Sequence, residues 1–386
     1  MIWERSMVVT MEKRLRVLTI FGTRPEAIKM CPLVKELKHR EEIECIVCVT
    51  AQHRQMLDQV LEIFQVKPDF DLNIMKDNQT LTNITTEVLA KLENLLCELK
   101  PHIVLVHGDT TTALAASLAA FYQKIPVGHV EAGLRTNNRY SPFPEEMNRV
   151  LVSRIAELHF APTIHNIQNL YQEGIKDKVY LTGNTVIDAL KTTIKEDYVF
   201  HNKDLKSLPY GTSKILLVTA HRRENLGVYM EHICHAIKRT VDEDQEIEVI
   251  YPVHLNPEVR KTVYSILKDH DRIHLLDPLD VEDMHNLMAR SYLILTDSGG
   301  IQEEAPSLDI PVIVVRKETE RPEAVEAGTI IIGGVEEETI YNSLQGLLYS
   351  KEIYDKMSCA KNPYGDGHAS IKIADTLIDW LQSNKV

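Results

Sequence analysis

Hydrophobic positions along this chain fall into short, nearly unbroken runs of β-branched and aliphatic residues, separated by longer amphipathic stretches. One series of runs comprises Val17–Phe21, Ile43–Thr50, Ile103–His107, Val127–Val130 and Val179–Thr182. A second comprises Lys214–Thr219, Glu248–Val253, Ile273–Leu276, Tyr292–Thr296, Val312–Val315 and Thr329–Ile332. Strands that are apolar throughout, rather than alternating, are buried on both faces, as in parallel sheets covered by helices. Between the two series, Thr192–Ser213 is polar and irregular, with a predicted turn at Pro209-Tyr210-Gly211. The pattern therefore predicts an α/β protein of two Rossmann-like domains facing across a cleft. A length of 386 residues agrees, because single cores rarely grow beyond about 250–300 residues.

Composition changes this picture in one respect. Hydrophobic content of 44% and charged content of 26% are ordinary for a globular protein, but the net charge of −13 is not neutral. An acidic surface excludes a general binder of nucleic acid or of anionic membranes. An anionic ligand must then be held by local Arg, Lys and helix N-termini. No apolar run reaches the ~18 residues of a membrane span. Met1–Lys13 carries Glu4 and Glu12 and no long apolar core, so it does not read as a signal peptide, and Met11 is an alternative start. The six cysteines form no disulfide framework. Cys45 and Cys48 have C-x-x-C spacing, but on a predicted strand residues three apart point to opposite faces, which excludes a shared metal or redox role. Reduced cysteines without an export signal point to the cytoplasm.

The polar motifs fall directly after the last apolar residue of their strands, hence at one end of each sheet, where open parallel sheets bind ligands. Asp297-Ser298-Gly299-Gly300 follows the Tyr292–Thr296 run and leads into a helix predicted from Ile301 to Leu308, with Glu303 and Glu304 in its first turn. Glycines at a strand-to-helix junction let the backbone approach a phosphate closely. Gly22-Thr23-Arg24-Pro25-Glu26 follows the first strand; Thr23 and Glu26 fit a capping box, with Pro25 in the first turn. A capping box does not explain Arg24, a cation at the positive end of a helix, unless an anion sits nearby, and Lys29 could reach the same anion. Asp109, after Ile103–His107, could cap a helix over Thr112–Phe121. Glu131, beside Gly133, has no evident structural duty, and adjacent strands would bring it to Asp109. Glu145 and Glu146 open the helix after the proline-stiffened loop Tyr140–Pro144, where acids are ordinary. His221, between a strand end and Arg222-Arg223, should be kept neutral by these cations and could contact a phosphate or exchange a proton. Arg316 and Arg321 add cations near the Ser298–Gly300 loop.

Seven motifs in this order, GTRPE at 22–26, GDTTT at 108–112, VEAGLRT at 130–136, SPFPEEMNR at 141–149, TAHRREN at 219–225, TDSGGIQEE at 296–304 and ERPEA at 320–324, resemble the non-hydrolysing UDP-N-acetylglucosamine 2-epimerases from about Arg16 to Leu381. The resemblance implies a GT-B-type pair of Rossmann-like domains over 14–190 and 210–365, with a C-terminal helix within 366–386 returning to the N-terminal domain, and a homodimer. It implies substrate contacts at Arg24, Lys29, Ser298, Gly299, Gly300, Glu304 and Arg321, and catalysis by Asp109, Glu131, Glu145 and His221. Leu279 and Met284 stand where the family's Gln and Phe line the substrate, near the base. Gln52 and Gln55 match contacts to a second, activating substrate molecule, whereas Asn78 replaces an expected Arg of that site.

The implied reaction interconverts UDP-GlcNAc and UDP-ManNAc with no metal and no cofactor. No carbonyl acidifies the C2 proton, and the route that the resemblance implies is elimination of UDP to 2-acetamidoglucal, followed by re-addition of UDP as a proton arrives at C2 from the opposite face. Carboxylates serve as acid and base, their order left open, while His221 and nearby cations stabilise the departing diphosphate. The rivals are a hydrolysing epimerase releasing ManNAc and UDP, a GT-B glycosyltransferase needing an acceptor, and a non-catalytic nucleotide-sugar sensor. The absence of a G-x-G-x-x-G after any predicted strand argues against a nicotinamide cofactor.

Overall fold

The computed structural model describes residues 14–51, 54–76 and 79–384. Gln52, Asn78 and Met11 lie outside the described residues, and so does the side chain of Gln55, whose backbone belongs to a helix over Arg54–Ile63. Two compact units divide the chain. One runs through Thr182 and regains the segment from Ala369 on; the other is Gly183–His368.

The first unit holds a seven-stranded parallel sheet made of β1 (Leu15–Phe21), β2 (Ile43–Val49), β3 (Phe70–Asp71), β4 (Ile103–His107), β5 (Val127–Val130), β6 (Leu158–Ala161) and β7 (Val179–Leu181), in the order β3-β2-β1-β4-β5-β6-β7. The second holds a six-stranded parallel sheet of β8 (Lys214–Thr219), β9 (Ile247–Pro252), β10 (Ile273–Leu276), β11 (Leu293–Thr296), β12 (Val312–Val314) and β13 (Ile330–Ile332), in the order β10-β9-β8-β11-β12-β13. Each is a Rossmann-like sheet whose strand order reverses once, between β1 and β4 in the first and between β8 and β11 in the second. The open crevice at such a reversal is where ligands bind beyond the strand ends.

β3 and β6 are absent from the sequence-predicted set. β3 has two residues, too few to present an apolar run, whereas β6 is a four-residue strand with one histidine, as β5 is. Helices cover both faces. In the first unit Leu18, Ile20, Val104 and Val106 pack on Val88, Leu92, Ala116 and Ala120; in the second Leu216, Val218, Val249 and Leu295 pack on Ile233, Ile237, Val263 and Leu344. The C-terminal helix Ala369–Asn384 lies against the helix Arg24–His39 of the first unit. Arg40 reaches Asp375 at 3.0 Å, and the Trp380 indole donates to Glu157 at 3.3 Å.

Cys45 and Cys48 are free thiols on β2, and burial pushes both up to about 12, which leaves them protonated and unreactive. Among the described residues no helix is long and apolar enough to cross a membrane.

Candidate functional site

The reversal point of the first sheet is built by the turns after β1, β4 and β5. Gly22 ends β1 where any side chain would collide with Thr50, since a Cβ there would lie 1.8 Å from Thr50 Oγ1. Thr23 caps the helix Arg24–His39 in the predicted capping box, and Pro25 occupies its first turn. Glu26 does more than cap. Its carboxylate accepts from Gly22 N (3.0 Å), Thr23 N (2.8 Å) and Thr23 Oγ1 (2.8 Å), and its second oxygen accepts from the Thr110 hydroxyl at 2.8 Å. One buried carboxylate thus ties the turn after β1 to the turn after β4, although burial, outweighing these donors, pushes its pKa up.

Arg24 and Lys29 are half-buried on this helix. Lys29 Nζ pairs with Glu131, which stands directly after β5 with φ of +64°. That left-handed backbone disfavours a residue bearing a Cβ and is kept where the surrounding fold over-determines it. The other Glu131 oxygen lies 3.8 Å from Nε2 of His107. His107 is buried, and burial lowers it to about 4, so it is a neutral imidazole at pH 7.

Asp109 does not cap the following helix. Thr110 takes that role, accepting from Ala113 N at 3.0 Å, and the helix spans Thr111–Tyr122. The Asp109 carboxylate instead meets the buried Arg149 at 2.6 Å, while Asn148 donates to its carbonyl at 2.9 Å. Burial pushes the Asp109 carboxyl up to about 6; Glu131 and Glu145 add to the rise, and Arg149 and Lys29 oppose it. A quarter of the side chain stays open to water, which moderates the effect.

The two acids opening the helix Glu145–Ile155 have separate roles. Glu146 is buried and accepts from the Thr136 and Asn137 backbone N–H groups, holding the loop. Glu145 remains half-exposed and acts electrostatically on Asp109. Asp109, Glu131 and Glu145, predicted as a group, are therefore brought together, with Lys29, Arg149 and His107 around them.

The reversal point of the second sheet is organised by Asp297, fully buried after β11. Its Oδ2 accepts from His221 N, Arg222 N and Asn225 Nδ2 at 2.8, 2.8 and 3.0 Å, shaping the turn after β8. His221 stacks on His254, with ring centroids 4.9 Å apart and planes 15° from parallel. Its pKa is lowered, as the sequence suggests, but the leading cause is burial rather than the arginines; His254 and Arg222 add smaller pushes, and Asp297 opposes them.

The helix after Ser298 differs from expectation. It begins at Gly299 and ends at Glu304, and Pro306 then shifts the chain into a 3₁₀ turn over Ala305–Leu308. Glu303 and Glu304 accordingly sit in the last turn and not the first. Neither complements a helix N-terminus: Glu303 is buried against Arg321 (Nε to Oε1 2.5 Å) and accepts from Asn184 at 2.9 Å, while Glu304 faces His285 at 3.7 Å. The Ser298 hydroxyl makes no capping hydrogen bond. Guanidinium groups flank the glycine turn, since a Cβ built on Gly299 would lie 3.5 Å from Arg321 Nη2 and 3.6 Å from Arg222 Nη2. Arg316 is engaged by Glu224 at 2.7 Å and Glu320 at 3.6 Å. Leu279 is buried just before the helix Val281–Ala289, on which Met284 is half-buried.

Among the described residues one group, His201, Asp280 and Asp283, places possible metal-ligating atoms within 4.8 Å of one another. These atoms are already committed. Asp283 accepts from Tyr198 Oη, His201 N and Asn202 N, and His201 Nδ1 faces Asp280 at 2.8 Å. Sequence reasoning quoted Asp297, His107 and Arg149 within its motifs without giving them a role, and it did not name His254, just beyond a strand end. The strand-end rule that found His221 would also have flagged His254. Burial of His107 and Arg149 could not be read from the sequence.

Comparison with known proteins agrees with the motif pattern. A family model described as UDP-N-acetylglucosamine 2-epimerase matches residues 35–378. The UDP-N-acetylglucosamine 2-epimerase of Bacillus subtilis is 58% identical over 367 residues, 95% of this chain and 96% of that protein. The enzyme of the same name from Escherichia coli K12 is 52% identical, over 94% and 98%. A solved structure of UDP-GlcNAc 2-epimerase from Neisseria meningitidis bound to UDP-GlcNAc superposes with a TM-score of 0.87 at 51% identity, over 94% of this chain and 100% of that one.

Proposed function

Because this chain belongs to the UDP-N-acetylglucosamine 2-epimerase family, we propose that it interconverts UDP-GlcNAc and UDP-ManNAc by eliminating UDP to 2-acetamidoglucal and re-adding it, without hydrolysing the sugar. The observation carrying this reading is the coupled pair Asp109 and Glu131 on adjacent strand ends. Inversion at C2 needs one group to remove a proton from one face and another to deliver a proton to the opposite face. Asp109, raised to about 6, is close enough to neutrality to serve in either direction. Glu131 is held in orientation by Lys29. Glu145 is the third carboxylate of the group and biases Asp109.

The diphosphate is assigned to the Ser298–Gly300 turn with Arg321 and Arg222, and Glu304 to the sugar; in the first unit, Arg24 is the cation assigned to substrate binding. His221 stabilises the negative charge that grows on UDP as C1–O breaks. Met284 and Leu279 line the region of the base. The resemblance also supports a homodimer.

Incubation with UDP-GlcNAc alone in D₂O, followed by NMR, tests the reading. UDP-ManNAc carrying deuterium at C2 is expected. Free ManNAc with UDP as the sole products would place the chain with hydrolysing epimerases, retained hydrogen at C2 would indicate internal hydride return, and a requirement for an acceptor sugar would indicate glycosyl transfer.

A further inference from the structure

One carboxylate in the second unit is only half accounted for. Oδ2 of Asp297 accepts three hydrogen bonds. Oδ1 is fully buried, receives none, and stands 3.4 Å from Nδ1 of His221. A buried carboxylate oxygen without a donor costs free energy, so its presence calls for a partner. Among the described residues, the imidazole of His221 is the group placed to be that partner. The ring is also stacked on His254, so it cannot swing away from Asp297 without losing the stack.

We propose that Asp297 is the positioning residue of His221: its Oδ1 takes the Nδ1–H, fixes that tautomer, and leaves Nε2 as the atom that meets the substrate's diphosphate or exchanges a proton with it. A carboxylate can only accept, so a neutral imidazole facing it must carry its hydrogen on Nδ1. Proton uptake at Nε2 then produces an imidazolium whose charge faces Asp297. The groups facing the ring are Asp297 from the β11 turn, His254 from beyond β9, and Arg222 beside it; burial, His254 and Arg222 all push its pKa down, and Asp297 alone opposes them. Removing that charge should leave His221 neutral deeper into the acid range. The function assigned to Nε2 rests on the reading that His221 serves the epimerisation, whereas the tautomer itself does not.

The first measurement uses the unaltered full chain labelled with ¹⁵N histidine at pH 8, with the His221 signals assigned by their loss in His221→Gln. A protonated Nδ1 and a bare Nε2 are expected, and the reverse tautomer overturns the proposal whatever the activity proves to be. The second uses Asp297→Asn, whose side-chain carbonyl can keep the Oδ2 hydrogen bonds while its NH₂ faces Nδ1 and favours the wrong tautomer. We expect kcat to fall about 10²-fold with KM for UDP-GlcNAc within a few-fold, and the His221 titration to move to lower pH. A folded variant with unchanged kcat and an unchanged titration overturns the proposal. Should the variant fail to fold, the tautomer in the unaltered chain decides.

Discussion

Replacing Asp109 with Asn should make the protein more stable at neutral pH while making it a poor catalyst. The carboxyl is pushed from 3.8 in a free side chain up to about 6 in the fold, chiefly by burial. A folded-state pKa above the unfolded one means that the unfolded state ionises first. Stability tied to this group is therefore fully present below about 3.8 and is lost as pH rises through 6. Roughly two units at about 1.36 kcal/mol each give about 3 kcal/mol of destabilisation at pH 7–8, an upper bound because a quarter of the side chain remains in water. Asp109→Asn keeps the shape and one acceptor for Arg149 but never ionises, so it should recover about 1–3 kcal/mol at pH 8 and close to nothing at pH 4. Urea unfolding of both proteins across pH 4–8, followed by circular dichroism, reads the difference directly. The same variant should lose about 10²–10⁴-fold in kcat, the usual worth of a general acid or base. A variant equally or less stable at pH 8, or a difference independent of pH, would refute the claim that burial strains this carboxylate.

Three more outcomes are expected. His107, His129 and His159 are neutral and buried on β4, β5 and β6, lowered to about 4, 3 and 4, so the stability they contribute is complete above pH 6.5 and drains away as pH falls towards 4. A urea midpoint that stays level over that window would contradict their burial as neutral rings. Arg24→Ala should weaken UDP-sugar binding by about ten- to a hundredfold through loss of a charge-assisted contact, with Ser298→Ala losing less; calorimetry that finds the opposite ranking would move the anion site. Arg321→Ala leaves Glu303 buried without its main partner and should cost about 3–5 kcal/mol, lowering the melting temperature even without ligand.

Most of the architecture was legible because parallel strands buried on both faces announce themselves as unbroken apolar runs. Eleven such runs became strands, with ends shifted by a residue or two. β6 escaped although its four residues with one histidine match β5 in length and pattern, so nothing in the sequence separates the strand that was read from the one that was not. The positions of Asp109, Glu131 and His221 were legible from strand ends alone. Their environments were not. Whether Asp109 capped a helix or met Arg149, and which of Glu145 and Glu146 held the loop, depended on side-chain directions that periodicity does not encode. The misplaced start of the Gly299–Glu304 helix has a plain cause: two glycines read as loop, yet both join the first turn and carry the acids to the far end.

The Glu26 carboxylate, bridging Gly22, Thr23 and Thr110, has a consequence for how this sequence can drift. Three hydrogen-bond donors from one turn and a fourth from another converge on two oxygens, so no single position can change its chemistry without stranding the others. Glu26→Gln would turn a donating amide NH₂ towards hydroxyl and backbone N–H donors, and Thr110→Val would orphan an oxygen. Substitutions at 23, 26 and 110 should therefore be accepted together or not at all, and a saturation library scored pairwise would show these positions as one inherited block.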